Sequence, residues 1–164
     1  MRGYEFVPIS YFGRKNAVTG HVMQEMQRFN NLLGEIDGAY HEANQRLGLT
    51  DSAMQVLYVV CNDGGETLLS RICGLSGASK QTINSALRSL EKAGHIRLET
   101  LPGRRKKVCL TEQGEALAGR TALRLISVEN AVFGGWTEEE RETYLALTQR
   151  YVTDFRARMK EQLG

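Results

Sequence analysis

The spacing of apolar residues changes several times along the chain, and each change marks an element. Residues 1 to about 16 show no period and contain Pro8 and Gly13, which predicts an irregular arm. From about Thr19 to Leu47, Phe29, Leu32, Leu33, Ile36, Tyr40, Ala43 and Leu47 recur at three- and four-residue steps, the spacing of one helix face. Gly34 and Gly38 weaken that helix by roughly 1 kcal/mol each relative to Ala, so packing must hold it. Gly48 ends it. Thr50 can cap a second helix, with Asp51 favourably placed in its positive first turn. Ala53, Met54, Val56, Leu57, Val59, Val60 and Cys61 make this helix apolar nearly all round, as a central buried helix requires, and "NDGG" at 62–65 stops it.

A short helix, "LLSRICG", is expected from about Leu68, and the turn "LSGA" leads to Ser79. Ser79 is a good N-cap for a helix from Lys80 to Ala93, and Gly94 is a good residue just past its end. On a 100° wheel Ile83, Ala86, Leu87 and Leu90 point one way; Gln81, Ser85 and Arg88 point the other, with Lys80 and Asn84 on the flank. Ile96, Leu98 and Thr100 then alternate with Arg97 and Glu99 as in a strand; "LPGRRKK" turns the chain, and "KVCL" returns as the antiparallel partner. Thr111 opens one helix that carries Leu117, Leu125, Val128 and Val132 and stops at Gly134-Gly135. A capping box, Thr137 and Glu140, opens the last helix, with Tyr144, Leu147, Tyr151, Phe155 and Met159 at helical spacing. That stripe is longer than one small core can bury. The fold class expected is mainly α: a winged helix-turn-helix DNA-binding domain with flanking helices forming a dimerisation region.

Charge sharpens the picture. The formal net charge is only +2, but from Thr67 to Leu110 there are nine basic side chains against two acidic ones, a local +7. The remaining residues hold twelve basic and seventeen acidic side chains, or −5. Such asymmetry predicts an anionic partner for one segment. With 164 residues, 41% hydrophobic and 24% charged, the chain has the size of one domain, or one domain with an added arm. No apolar run approaches the eighteen residues of a membrane helix, so no membrane role is expected. The start "MRGYEFVPISYFGRKN" lacks the apolar stretch of a secretory signal, and the expected location is cytoplasmic.

The candidate chemistry is recognition of double-stranded DNA. A helix fits the major groove and can present side chains to base edges: Arg88 to guanine, Gln81 or Asn84 to adenine, and Ser79, Lys80 and Ser85 to phosphates or bases. The turn brings four cations, Arg104, Arg105, Lys106 and Lys107, to a hairpin tip that can reach phosphates or the minor groove. No aromatic residues interleave with them, which argues against stacking on single strands. Tyr40, Met54 and Tyr58 are candidates to line a ligand cleft; plain core is the other reading of those three. Cys61, Cys73 and Cys109 form no C-x-x-C pair and have no His at ligand spacing, so no metal or cofactor is expected. They read as buried small hydrophobes or as a thiol switch. His21, His41 and His95 are scattered, and no nucleophile–base pair or phosphate-cradling loop supports an enzyme.

The stretches "LTDSAMQVLYVV", "SKQTINSALRSLEKAGHI" and "KKVCLTEQGEAL" resemble the multiple-antibiotic-resistance regulator (MarR) family of bacterial transcription factors. The most diagnostic parts are L-T-x-x-G at Leu110 to Gly114 after the wing and L-x-x-L-x-x-x-G (Leu87, Leu90, Gly94) before it. The resemblance implies a homodimeric, ligand-responsive repressor on a palindromic operator. It also implies an effector cleft, often for small aromatic or phenolic molecules, between the dimerisation and DNA-binding parts. The implied division is an arm and dimerisation helix over 1–48, a winged helix-turn-helix over 49–112, and dimerisation helices over 113–164. Many members carry an Asp before the wing-tip Arg; here no acid lies between Glu99 and Glu112, which leaves open whether Arg104 or Arg105 leads. A thiol-based redox-sensing regulator and a winged-helix protein-interaction module stand as alternative readings.

Overall fold

The computed structural model describes residues 20–164; the expected arm and the expected helix start at Thr19 lie outside the described residues. The chain divides into two compact units, Met1–Ala43 and Asn44–Gly164. What is described of the first is helix α1, Gly20–Arg46, up to the unit boundary. Its apolar stripe, Phe29, Leu32, Leu33, Ile36 and Tyr40, is exposed along its whole length.

The second unit opens at the end of α1, where the Asn44 amide donates to Asp51 Oδ1 at 2.9 Å and Gly48 turns the chain at φ +73°. Thr50 caps α2, Asp51–Asn62, its hydroxyl oxygen accepting from the Ala53 N–H at 3.2 Å. Val56, Leu57 and Val60 are fully buried, so α2 is the axis of the core. Burial of each such side chain contributes about 1.5–3 kcal/mol. Strand β1, Glu66–Leu68, leads into α3, Leu69–Leu75, and α4, Lys80–Lys92. Ser79 caps α4 through the Thr82 N–H at 3.1 Å, and Ile83, Ala86, Leu87 and Leu90 bury its inner face. Strands β2, Ile96–Leu101, and β3, Arg105–Leu110, flank a short 3-10 turn, Pro102–Arg104.

The sheet has three antiparallel strands in the order β1-β3-β2, one more than the pattern predicts. The register pairs Glu66 with Cys109 and Leu68 with Lys107 on one side of β3, and Arg97 with Cys109 and Glu99 with Lys107 on the other. Because side chains alternate faces, Thr67, Ile96 and Val108 point to the core while Glu66, Arg97, Glu99 and Lys107 share the outer face.

The helix expected from Thr111 to Gly134 is two helices, α5, Glu112–Arg120, and α6, Ala122–Gly134. The break is at Thr121, which is buried and leaves helical geometry at φ −129°, ψ −91°. Its hydroxyl donates back to the Leu117 carbonyl at 2.7 Å, the local bond through which a Thr competes with the helix ladder. Helix α7, Glu138–Leu163, begins with the expected capping box of Thr137 and Glu140. Arg141 donates to the carbonyls of Phe133 and Trp136, and Phe133, Trp136 and Tyr144 form an aromatic cluster that fixes the α6–α7 turn. Beyond that cluster, Leu147, Tyr151, Phe155 and Met159 lie exposed.

Candidate nucleic-acid interface

The outer face of α4 has the composition a base-reading helix needs. Its buried side anchors the helix, and Lys80, Gln81, Asn84, Ser85 and Arg88 are all exposed. Ser79 is exposed too, but its hydroxyl is engaged in the cap and lies 2.9 Å from the Thr82 hydroxyl. It therefore shapes the start of α4, and a phosphate contact would use only its remaining capacity.

The wing tip is built by two consecutive residues with left-handed backbone, Gly103 at φ +75° and Arg104 at φ +60°. Glycine takes that conformation freely, whereas a residue with a Cβ adopts it at a cost of roughly 1–2 kcal/mol. Arg105 folds back, its Nε donating to the Pro102 carbonyl at 3.4 Å, and Lys106 Nζ bonds the Thr100 hydroxyl at 2.6 Å. Arg104 makes no such contact among the described residues. These three cations, together with Lys80 and Asn84 of α4, surround an open cleft of about 560 Å³. Its floor is Leu69, Ser70, Cys73 and Gly74 of α3. Helix α4 and the wing thus face one hollow, and its rim is cationic.

The four cations expected at the tip are split by the structure. Lys107 sits down the strand, its Nζ 2.8 Å from Glu66 Oε2 and 3.2 Å from Glu99 Oε2. Those bonds raise its pKa and hold both carboxyls below the ordinary glutamate value. Arg97 pairs with Glu99 at 2.9 Å, and Arg71 pairs with Asp63 at 2.6 Å. Nothing in the local sequence pattern marks Glu66, Glu99 or Thr100 as partners of these cations. The β1–β3 pairing places Glu66 against a lysine 41 positions away, and no local pattern announces such a pair.

Of the ligand candidates, Met54 is a core residue, 3% exposed. Tyr58 is half-buried and its hydroxyl donates to Glu129 Oε2 at 2.8 Å, tying α2 to α6. Burial pushes its pKa up, and the adjacent carboxylate adds to the shift. Tyr40 is exposed on α1, in the other unit. Burial likewise pushes up the thiols of Cys61 and Cys109, while Cys73 is half-buried in the cleft floor. Among the described residues there is no group of three His, Cys, Asp or Glu side chains that could hold a metal ion, and no helix is long and apolar enough to cross a membrane.

A family model described as MarR family matches residues 47–107. The structure is similar to a MarR-family regulator from Neisseria meningitidis, with a TM-score of 0.71 and 18% identity over 85% of this chain and 99% of that one. It is also similar to a MarR-family transcriptional regulator from Streptomyces coelicolor solved in complex with DNA, with a TM-score of 0.66 and 20% identity over 87% and 91% of the two chains. A third likeness is to an organohalide-sensing transcriptional regulator in its 2,4-dichlorophenol-bound form, with a TM-score of 0.57 and 17% identity over 87% of each chain. No curated protein sequence matches the chain. Residues 47–107 thus match the MarR family model, and the chain has the winged-helix fold of the MarR-family structures it resembles.

Proposed function

We propose that this chain is a DNA-binding transcriptional regulator, a homodimeric repressor that recognises a palindromic operator and releases it when a small effector binds. The observation that carries this reading is the shared cleft: Lys80 and Asn84 of α4 and Arg104, Arg105 and Lys106 of the wing converge on one cationic hollow backed by a rigid core. In this reading Gln81, Asn84, Ser85 and Arg88 read base edges in the major groove, while the tip holds phosphates or the minor groove. Arg104 leads at the tip. It alone combines a left-handed backbone with a guanidinium not tied back to the turn, and strain of that kind gathers at functional positions. The winged helix, residues 49–112, is the DNA-binding part, and residues 1–48 and 113–164 supply the dimer frame. The exposed stripe on α7 supports that assignment, because a monomer rarely leaves so long an apolar surface in water.

For the effector, the Tyr58–Glu129 bond is the supporting observation: a phenolic hydroxyl could replace that of Tyr58 on the carboxylate and change how α2 meets α6. The effector acts only through its differential affinity for the two states. Met54 lies in the core and Tyr40 on the exposed stripe of α1.

Binding of the chain to its own upstream DNA and to random duplex tests the reading. Arg88→Ala should weaken the specific site roughly 5- to 150-fold and random DNA little. Arg104→Ala should weaken both and flatten the salt dependence by about 0.9 in slope per protomer. Equal losses on the two DNAs for Arg88→Ala would remove its base-reading role. Operator release by peroxide that disappears in a Cys-free variant would favour thiol sensing instead. Absence of salt-sensitive binding to any duplex would favour a protein-interaction module.

A further inference from the structure

The nine basic residues between Thr67 and Leu110 fall into two structural sets. Arg71, Arg97 and Lys107 are ion-paired. Arg104, Arg105 and Lys106 at the tip, and Lys80, Arg88 and Lys92 on α4, have no ion pair among the described residues. The wing is therefore electrostatically two-sided. Its tip and cleft rim are cationic, while its outer face carries an alternating chain, Glu66–Lys107–Glu99–Arg97, that spans all three strands and sums to zero charge.

Lys107 is close enough to matter if released. It lies two residues along β3 from Arg105, roughly 7 Å of strand, and its flexible four-carbon stem can reach the line of phosphates that the tip would follow. Two carboxylate oxygens already hold its ammonium at 2.8 and 3.2 Å, and those carboxylates also repel phosphate. Arg97 is held twice, by Glu99 at 2.9 Å and by the Leu110 carbonyl at 3.2 Å. Sequence-independent affinity for DNA grows with the number of cations that displace counterions, so each cation withheld lowers random binding without touching base readout.

Resting on the DNA-binding reading above, we infer that Glu66 and Glu99 are specificity-determining residues: they keep Lys107 and Arg97 out of the phosphate-contacting set, so the wing meets DNA with its tip alone. These two acids then set the ratio of operator to random affinity, although neither touches a base.

The test is the salt dependence of binding to a random-sequence duplex, followed by fluorescence anisotropy on the full chain. Lys107→Met should leave the wild-type slope unchanged, whereas Arg104→Ala should reduce it by about 0.9 per protomer. The double variant Glu66→Gln/Glu99→Gln should steepen the slope by about 0.9 to 1.8 per protomer, one or two added contacts in each wing, and lower the operator-to-random ratio. Adding Lys107→Met to that double variant should remove about half of the gain. A slope that drops as much for Lys107→Met as for Arg104→Ala overturns the inference, because Lys107 would already contact phosphate. So does an unchanged slope in a Gln double variant that keeps the wild-type circular dichroism and melting temperature. If that variant unfolds, the comparison of Lys107→Met with Arg104→Ala decides alone. A wild-type chain that binds no duplex at any salt overturns the DNA-binding reading as well; a wild type that binds, with Lys107 contributing, overturns this inference only.

Discussion

At Gly114 the helix α5 approaches the turn between α4 and β2 so closely that a Cβ would lie 1.8 Å from the His95 carbonyl oxygen and 2.9 Å from its carbon. Both atoms are backbone, so no side-chain rotation could relieve the collision. The approach is held from both ends: the Thr111 hydroxyl donates to the Gly94 carbonyl at 2.6 Å, and the Thr111 N–H donates to that of His95 at 3.1 Å. Gly114→Ala should therefore destabilise the protein by about 3 kcal/mol or more, beyond ordinary overpacking. Gly119→Ala is the control, since a Cβ there meets nothing within 4 Å and Ala favours helix by up to ~1 kcal/mol. Urea unfolding of the two variants checks this; equal stability would mean that α5 can move away at no cost. The sequence marks Gly114 as part of a motif, but the reason for glycine lies in a contact with the backbone of the turn after α4.

At the scale of elements, what the sequence makes legible is what is encoded locally. Thr50, Ser79, Thr111 and Thr137 all cap the helices that their positions predict, because a cap is an interaction with a residue three positions away. The alternation in Ile96–Leu101 and the buried face of α4 are equally local. Strand β1 is not legible: three residues cannot display a period of two, and its existence depends on pairing with β3. Nor is the break at Thr121, since a buried Thr is compatible with helix until its hydroxyl finds the Leu117 carbonyl. In the candidate site, the exposed residues of α4 follow from its wheel, whereas the removal of Lys107 from the tip follows from β1. The cross-strand chain also carries a pH signature. Hydrogen bonds from Lys107, and for Glu99 also from Arg97, depress the folded pKa values of Glu66 and Glu99. A depressed acid contributes stability in full above its unfolded value, about 4.3, and loses it as pH falls through the lower folded value. The melting-temperature difference between wild type and Glu66→Gln/Glu99→Gln should thus be small but constant near neutrality, because the groups are exposed, and shrink below about pH 4.3. A difference independent of pH down to strongly acidic solution would show that the pairs contribute nothing through charge.

For the whole molecule, apolar surface is the quantity out of balance. The winged helix closes its own core around Leu57, Ile72, Ile83 and Val108, all fully buried. By contrast α7 has no buried residue, and Leu147, Phe155 and Met159 are 51%, 51% and 43% exposed. If a second copy covers this face, Leu147→Glu/Phe155→Glu should sediment as an 18.3 kDa monomer where the wild type sediments at twice that mass. Operator affinity should fall with it, since two linked recognition helices bind a palindrome far better than one. A wild type that is already monomeric at binding concentrations would remove the dimer from the proposed function.

The joint at Gly114 also has a mechanical meaning. Most contacts between helices run through side chains, which yield by changing rotamer and so absorb small displacements. Here backbone meets backbone, pinned by Thr111 on one side and by Gly94 on the other, and nothing at the joint can give. A tilt imposed on α5 from the C-terminal helices arrives undamped at the end of the helix that would read DNA, so the joint acts as a stiff crank.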